Sequence, residues 1–234
     1  TVARDTVRRI WETQGVYLRD RLGAQRLVLP KLPVIPLGIH TQDFVHPEAR
    51  RTQARHVLGA DENTLVVLFA GRLSFHAKAH PLAMYQALER AAGQLPAGKN
   101  VLLVECGRHA NEAVARAFAD AARLACPSVR VLSLDGREGA NYQHAWAGAD
   151  VFCSLSDNLQ ETFGLTPIEA MATGLPVVVS DWDCYKDTVR DGIDGFRIPT
   201  LMPQAGMGAD LASRHALGID TYDWVSTTVE FENG

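Results

Sequence analysis

The sequence predicts a doubly wound α/β domain, a parallel sheet with helices on both faces. Three observations carry that expectation. From Leu65 onward, short apolar runs alternate with amphipathic stretches. The runs are continuous and rich in Val and Leu, which suits strands buried on both faces. Strands and helices alternating at this rhythm wind right-handed into one sheet.

The elements follow in chain order. Thr1–Leu22 has a helical pattern, with Val7, Ile10 and Trp11 on one side and Arg4, Arg8, Arg9 and Glu12 elsewhere. Such a helix has no core of its own, so a preceding domain is expected. Pro30, Pro33 and Pro36 then enforce an extended path, and Gly38 allows a turn. The expected strands are Leu65–Ala70, Val101–Val104, Val129–Leu132, Ala149–Leu155 and Pro176–Val179, with a shorter one at Gly195–Ile198. Leu82, Tyr85, Leu88 and Ala92 recur at helical spacing, as do Val114, Phe118, Ala121 and Leu124. After Thr200 the pattern fades. With an opening at Thr1 and no initiating methionine, this implies a chain that stops short at both ends.

Composition narrows the function classes. The 234 residues are 47% hydrophobic and 21% charged, ordinary values for a soluble globular protein. A net charge of −4 gives no basic field for nucleic acid or an anionic membrane. No apolar run is long enough to span a bilayer, and no signal peptide is visible. The four cysteines form no Cys-x-x-Cys pair and read as structural free thiols in a reducing compartment. The nicotinamide fingerprint, the P-loop and the Gly-x-Ser-x-Gly elbow are all missing.

Two segments carry chemistry. Glu161 and Glu169 stand eight positions apart in a stretch read as loop, glycine, helix start, glycine turn and buried strand. A helix start binds anions, because its first N–H groups lack intrahelical partners and its dipole end is positive. Two carboxylates beside it suit a hydroxyl-rich group bearing phosphate, such as a nucleotide-sugar. A structural account also fits: Thr166 as N-cap, Pro167 at the first helical position and Glu169 at the third make a capping box. The two accounts are compatible. Gly164 permits either a turn or close backbone approach to a ligand, and Asp157 and Asn158 read as turn formers.

The second segment follows the first strand, where open parallel sheets bind ligands. There Gly71 and Arg72 precede Lys78, placing two cations at the strand end. Arg can bind phosphate bidentately, and Lys acts as a mobile point charge. A solvated loop is the competing account. His76 and His80 are four apart, with no carboxylate or cysteine to complete a metal set.

Taken in order, these segments resemble glycosyltransferase family 4, the group 1 retaining transferases of GT-B fold. Ile35 to Phe44 is similar to the family's interdomain segment. Gly71-Arg72-Leu73 with Lys78 is similar to its phosphate-binding loop, and Glu161 to Ala172 to its Glu-x7-Glu motif. Gly174 to Ser180 and Asp191 to Phe196 are similar to the strand and turn that follow. Three departures stand out: six positions separate Arg72 from Lys78, one more than the family pattern, Ala79 occupies a position where glycine commonly follows the lysine, and Ser180-Asp-Trp-Asp-Cys-Tyr185 replaces a glycine-rich turn.

The resemblance implies the C-terminal half of a GT-B architecture, Rossmann-like and donor-binding. It places Arg72 and Lys78 on the donor diphosphate and the backbone N–H groups around Gly164, Leu165 and Thr166 on phosphate or sugar oxygens. It places Glu169 on the ribose hydroxyls and Glu161 on the transferred sugar, so Glu161, Arg72 and Lys78 form the catalytic set. No metal and no other cofactor are implied. The implied partners are a nucleotide-sugar donor and a glycan or lipid-linked acceptor held by a missing N-terminal domain, without nucleic acid or an integral membrane segment. The implied location is cytoplasmic, with full-length forms working near membranes.

The expected domains are residues 1–29 as the trailing helix of an N-terminal domain, 30–60 as connector and first helix, 61–200 as the nucleotide-sugar-binding domain, and 201–234 as a truncated C-terminal segment. The isolated chain is expected to be inactive as a transferase. An epimerase of the same fold and a non-catalytic nucleotide-sugar-binding module are the alternatives, and a phosphorylase lacks its lysine-anchored cofactor signature.

Overall fold

The computed structural model describes residues 4–28, 31, 33, 35, 37–75, 78–156, 163–201 and 209–219. The chain begins with helix α1 (Arg4–Leu22), then a 3-10 turn (Thr41–Phe44) and α2 (Glu48–Leu58). Next come β1 (Thr64–Leu73), α3 (Leu82–Ala92), β2 (Asn100–His109), α4 (Glu112–Ala125), β3 (Arg130–Asp135) and α5 (Gly139–Gly148). The remaining elements are β4 (Val151–Ser154), α6 (Leu165–Thr173), β5 (Val177–Ser180), α7 (Tyr185–Thr188), β6 (Gly195–Ile198) and α8 (Ala209–Ala216). None of the described helices is long and apolar enough to cross a membrane.

All six strands lie parallel in one sheet, ordered β3-β2-β1-β4-β5-β6. This is the doubly wound order. The chain winds outward from β1 to β3, then returns to the other side of β1 as β4. Winding direction therefore reverses between β1 and β4. There the helices leaving the two strands depart on opposite faces and open a crevice beyond the strand ends.

Residues along the strands alternate between two cores. Val66, Leu68, Ala70, Leu102 and Val104 join Trp146 of α5, Ala170 of α6 and Leu58 of α2 on one face. Val67, Phe69, Val101 and Leu103 join Met84 and Tyr85 of α3 and Phe118 of α4 on the other. Burial on both faces is why the strands read as unbroken apolar runs.

A polar clamp fixes the amino-terminal rim of the sheet. Asp150, just before β4, accepts from the backbone N–H of Val66 at 2.8 Å. The same carboxylate takes Arg55 Nη1 at 2.9 Å and is paired with Arg51 Nη2. Arg55 also donates to the carbonyl of Thr64 at 2.6 Å. One carboxylate thus joins α2, β1 and β4.

Three departures from the sequence expectations bear on the site. The β1–β2 ladder runs past the apolar segment, so Arg72 lies inside β1, paired with Arg108, rather than after the strand. The ladder continues through Gly71, Arg72 and Leu73, where glycine and arginine interrupt the apolar run and hide the extension from hydropathy. The helix α5 had no expected counterpart, since its last four residues, Ala145 to Gly148, are all buried and show no amphipathic period. The capping box at Thr166 also does not form, as described below. Outside the sheet, α1 leaves Ile10, Val16, Tyr17 and Leu22 more than half exposed.

Candidate functional site

The two chemical segments meet the sheet on either side of the β1/β4 reversal. Arg72 is exposed near the carboxyl end of β1, in register with the exposed Arg108 of β2. Lys78 lies in the loop after β1 and folds back over the strand. Its Cε stands 3.3 Å from where a Cβ on Gly71 would sit. The carbonyl of Lys78 accepts from Ser156 Oγ at 2.7 Å, and the carbonyl of Ser156 accepts from Ser180 Oγ. Ser156 and Ser180 are essentially fully buried. Two hydroxyls therefore tether the cationic loop to the ends of β4 and β5.

Across the reversal stands the start of α6. Gly164 is its N-cap, with φ 61° and ψ 74° in the left-handed region. A Cβ there would lie 2.2 Å from Tyr185 Cε1. Tyr185 is wholly buried and shares a hydrogen bond of 3.2 Å with Ser154 Oγ at the end of β4. The close ring and positive φ both specify glycine.

The helix thus begins two residues earlier than a capping box requires. Leu165 is the first helical residue and Thr166 the second, and no side chain caps the helix among the described residues. Thr166 Oγ1 is buried and has no hydrogen-bond partner among the described residues. The N–H groups of Leu165 and Thr166 stand at the mouth of the helix dipole.

Glu169, one turn further on, also takes no part in capping. Its Oε2 accepts from Tyr142 Oη of α5 at 3.2 Å. Burial pushes its carboxyl above the usual range, and the Tyr142 hydrogen bond pulls it partly back. Glu161, the other carboxylate of the motif, lies outside the described residues, as do Asp157, Asn158 and His76.

The histidine and cysteine readings can be placed too. His80 Nδ1 accepts from the backbone N–H of Leu82 at 3.3 Å, at the start of α3. Among the described residues no group of three or more His, Cys, Asp or Glu side chains could hold a metal ion. None of the four cysteines forms a disulfide, and all are buried. Burial pushes the Cys106 and Cys126 thiols up to about 11 and that of Cys153 to about 12, so they are inert packing residues.

Tyr142, Ser156, Ser180 and Arg108 were not among the candidate residues read from the sequence. Their relevance arises from strand order and register, and no local motif marks them.

Residues 50–205 match the profile of the family described as Glycosyl transferases group 1. The D-inositol 3-phosphate glycosyltransferase of Mycolicibacterium vanbaalenii is 29% identical over 94% of this chain and 54% of its own length. The protein of the same name from Geodermatophilus obscurus is 33% identical over 79% of this chain and 41% of its own. The chain thus spans about half the length of the curated relatives it matches. Among solved structures, Anabaena HepE in complex with UDP superposes with a TM-score of 0.54 at 22% identity, over 84% of this chain and 51% of that one. The neighbouring structures share the Rossmann-like architecture of GT-B glycosyltransferases, and the family profile identifies this chain as a member of the group 1 glycosyl transferases.

Proposed function

We propose that this chain is the donor-binding part of a retaining family 4 glycosyltransferase, which moves a sugar from a nucleotide diphosphate to a glycan or lipid-linked acceptor. One observation carries the reading: Arg72 and Lys78 lie on one side of the β1/β4 reversal, and the uncapped start of α6 lies on the other. Cations and helix-start N–H groups that flank one crevice fit a diphosphate.

The chemistry follows from that placement. Breaking the bond from the anomeric carbon to the diphosphate leaves the electron pair on a phosphate oxygen. Arg72, Lys78 and the N–H groups of Leu165 and Thr166 would stabilise that charge as it develops. The tethered Lys78 loop and the helix hold these groups in place, so little reorganisation accompanies the step. Glu169 would accept the ribose hydroxyls. Glu161, assigned from the motif alone, would stabilise the oxocarbenium-like sugar and orient its hydroxyls.

In this reading residues 61–200 form the donor domain, and the acceptor site belongs to residues 1–29 together with sequence beyond this chain. The chain alone would bind nucleotide without transferring sugar. UDP is the first nucleotide to try, because HepE of the same fold binds it.

The test is calorimetric titration of the chain with UDP, GDP and ADP. One nucleotide should bind, and Arg72→Ala should weaken it by about tenfold or more, the scale of a lost hydrogen bond to a charged group. Glu169→Ala should weaken it as well. If none of the three nucleotides binds, or both variants bind like the wild type, the reading is rejected.

A further inference from the structure

Glu169 is held by a residue that no motif assigns. Tyr142 projects from α5, and its ring meets Trp146 edge-on at 5.8 Å. Trp146 is almost completely buried, stacks on Phe152 of β4 at 5.7 Å and meets Phe44 edge-on at the same distance. Phe44 belongs to the 3-10 turn before α2, and Phe152 to the sheet. The aromatic column therefore spans connector, helix and strand, which fixes the height and tilt of the Tyr142 hydroxyl.

That hydroxyl has one proton and donates it to Glu169 Oε2. Among the described residues Oε1 accepts no hydrogen bond, and it is not sealed from solvent. A carboxylate offers about four acceptor sites. With one of them occupied by Tyr142, the carboxylate is held in one orientation while Oε1 stays available. Two neighbouring hydroxyls of a five-membered sugar ring need such a fixed acceptor, since a rotating carboxylate loses entropy when it binds them.

We propose that Tyr142 is a positioning residue that locks the Glu169 carboxylate for the vicinal hydroxyls of a nucleotide ribose, and so sets how strongly the site prefers ribose over deoxyribose. This rests on the donor-site reading above, in which Glu169 faces the ribose. Tyr142 acts through Glu169 and need not touch the nucleotide. Its hydroxyl also offsets part of the cost of burying the carboxylate, which favours the charged, accepting form.

The test compares UDP with 2′,3′-dideoxy-UDP by calorimetry on the wild-type chain, Tyr142→Phe and Glu169→Gln; the guanosine or adenosine pair replaces them if the first titration selects that base. Tyr142→Phe keeps the ring and its stacking and removes only the hydroxyl. It should weaken the ribonucleotide by about five- to tenfold, the scale of one hydrogen bond to a charged group, and leave the dideoxy form within about twofold. A ribose-to-dideoxy preference equal to wild type in Tyr142→Phe overturns the proposal, whether both affinities fall together or neither moves. Equal loss for both nucleotides would mark Tyr142 as merely structural. If Glu169→Gln leaves the wild-type preference intact, the error lies instead in placing Glu169 on the ribose. Wild type binding none of the nucleotides removes the donor-site reading, and this proposal with it.

Discussion

Gly164→Ala tests the geometry at the mouth of α6. The new Cβ would lie 2.2 Å from Tyr185 Cε1 and 3.0 Å from Cδ1. Ordinary carbon contacts fall at about 3.5–4.0 Å, so the ring must move by about 1 Å or the helix start must shift. Tyr185 is wholly buried and hydrogen-bonded to Ser154, which leaves it no free direction. Overpacking of this kind costs about 1–3 kcal/mol. The left-handed backbone at φ 61° adds about 1 kcal/mol for any residue with a Cβ.

The opposite end of the same helix supplies the control. Gly174 is also left-handed, with φ 85°, but a Cβ there would meet nothing within 4 Å. Gly174→Ala should therefore cost only the backbone part, about 1 kcal/mol. Each substitution removes similar freedom from the unfolded chain, and that effect cancels in the difference. Urea unfolding followed by circular dichroism should place Gly164→Ala about 1–3 kcal/mol below Gly174→Ala, with unchanged m-values. Equal costs for the two variants, or a greater cost at Gly174, would refute the packing argument.

Two further expectations concern the sheet. Asp150→Ala leaves the Val66 N–H without its acceptor and two arginines without their anion, and should destabilise by about 2–4 kcal/mol in the same urea assay. Asp150→Asn, which keeps an acceptor, should cost less. Glu105 is buried in β2 with Tyr85 donating to it, and burial raises its carboxyl above the usual range. Between the ordinary and the raised value the folded protein holds a proton that the unfolded chain releases, so this group's contribution to stability falls as pH climbs through that window. Glu105→Gln should remove that slope, measured as urea midpoints from about pH 4 upward; an unchanged slope would show that Glu105 does not titrate there.

Much of the architecture was legible because hydrophobic burial on two faces writes a continuous pattern into each strand. The runs at Leu65–Ala70 and Val101–Val104 fall inside β1 and β2, and Leu82 to Ala92 is helix α3. Where an element is buried all round, as in the second half of α5, the period disappears and the helix with it. Where polar residues interrupt the run, strand length is set by pairing with the neighbour, which places Arg72 in the ladder opposite Arg108. The start of α6 failed for a different reason. Thr, Pro and Glu at capping spacing describe a local optimum, while the helix obeys the tertiary contact between Gly164 and Tyr185. The candidate residues Arg72, Lys78 and Glu169 could be named from local segments. Their partners Ser156, Ser180 and Tyr142 could not, because each reaches its partner from 24 to 78 positions away.

The clamp at Asp150 has a bearing on how such a domain can change over time. It ties α2, β1 and β4 at the rim opposite the crevice, with charges that make no contact with the site. In the proposed reading, assembly of the sheet and choice of ligand are thereby lodged at opposite rims. Loops at the carboxyl rim can exchange residues and alter what is bound while the amino rim keeps the strands in register. A substitution that damages the clamp falls on every ligand alike, through the fraction of molecules folded. Variation in specificity and variation in abundance thus reach this protein by separate routes.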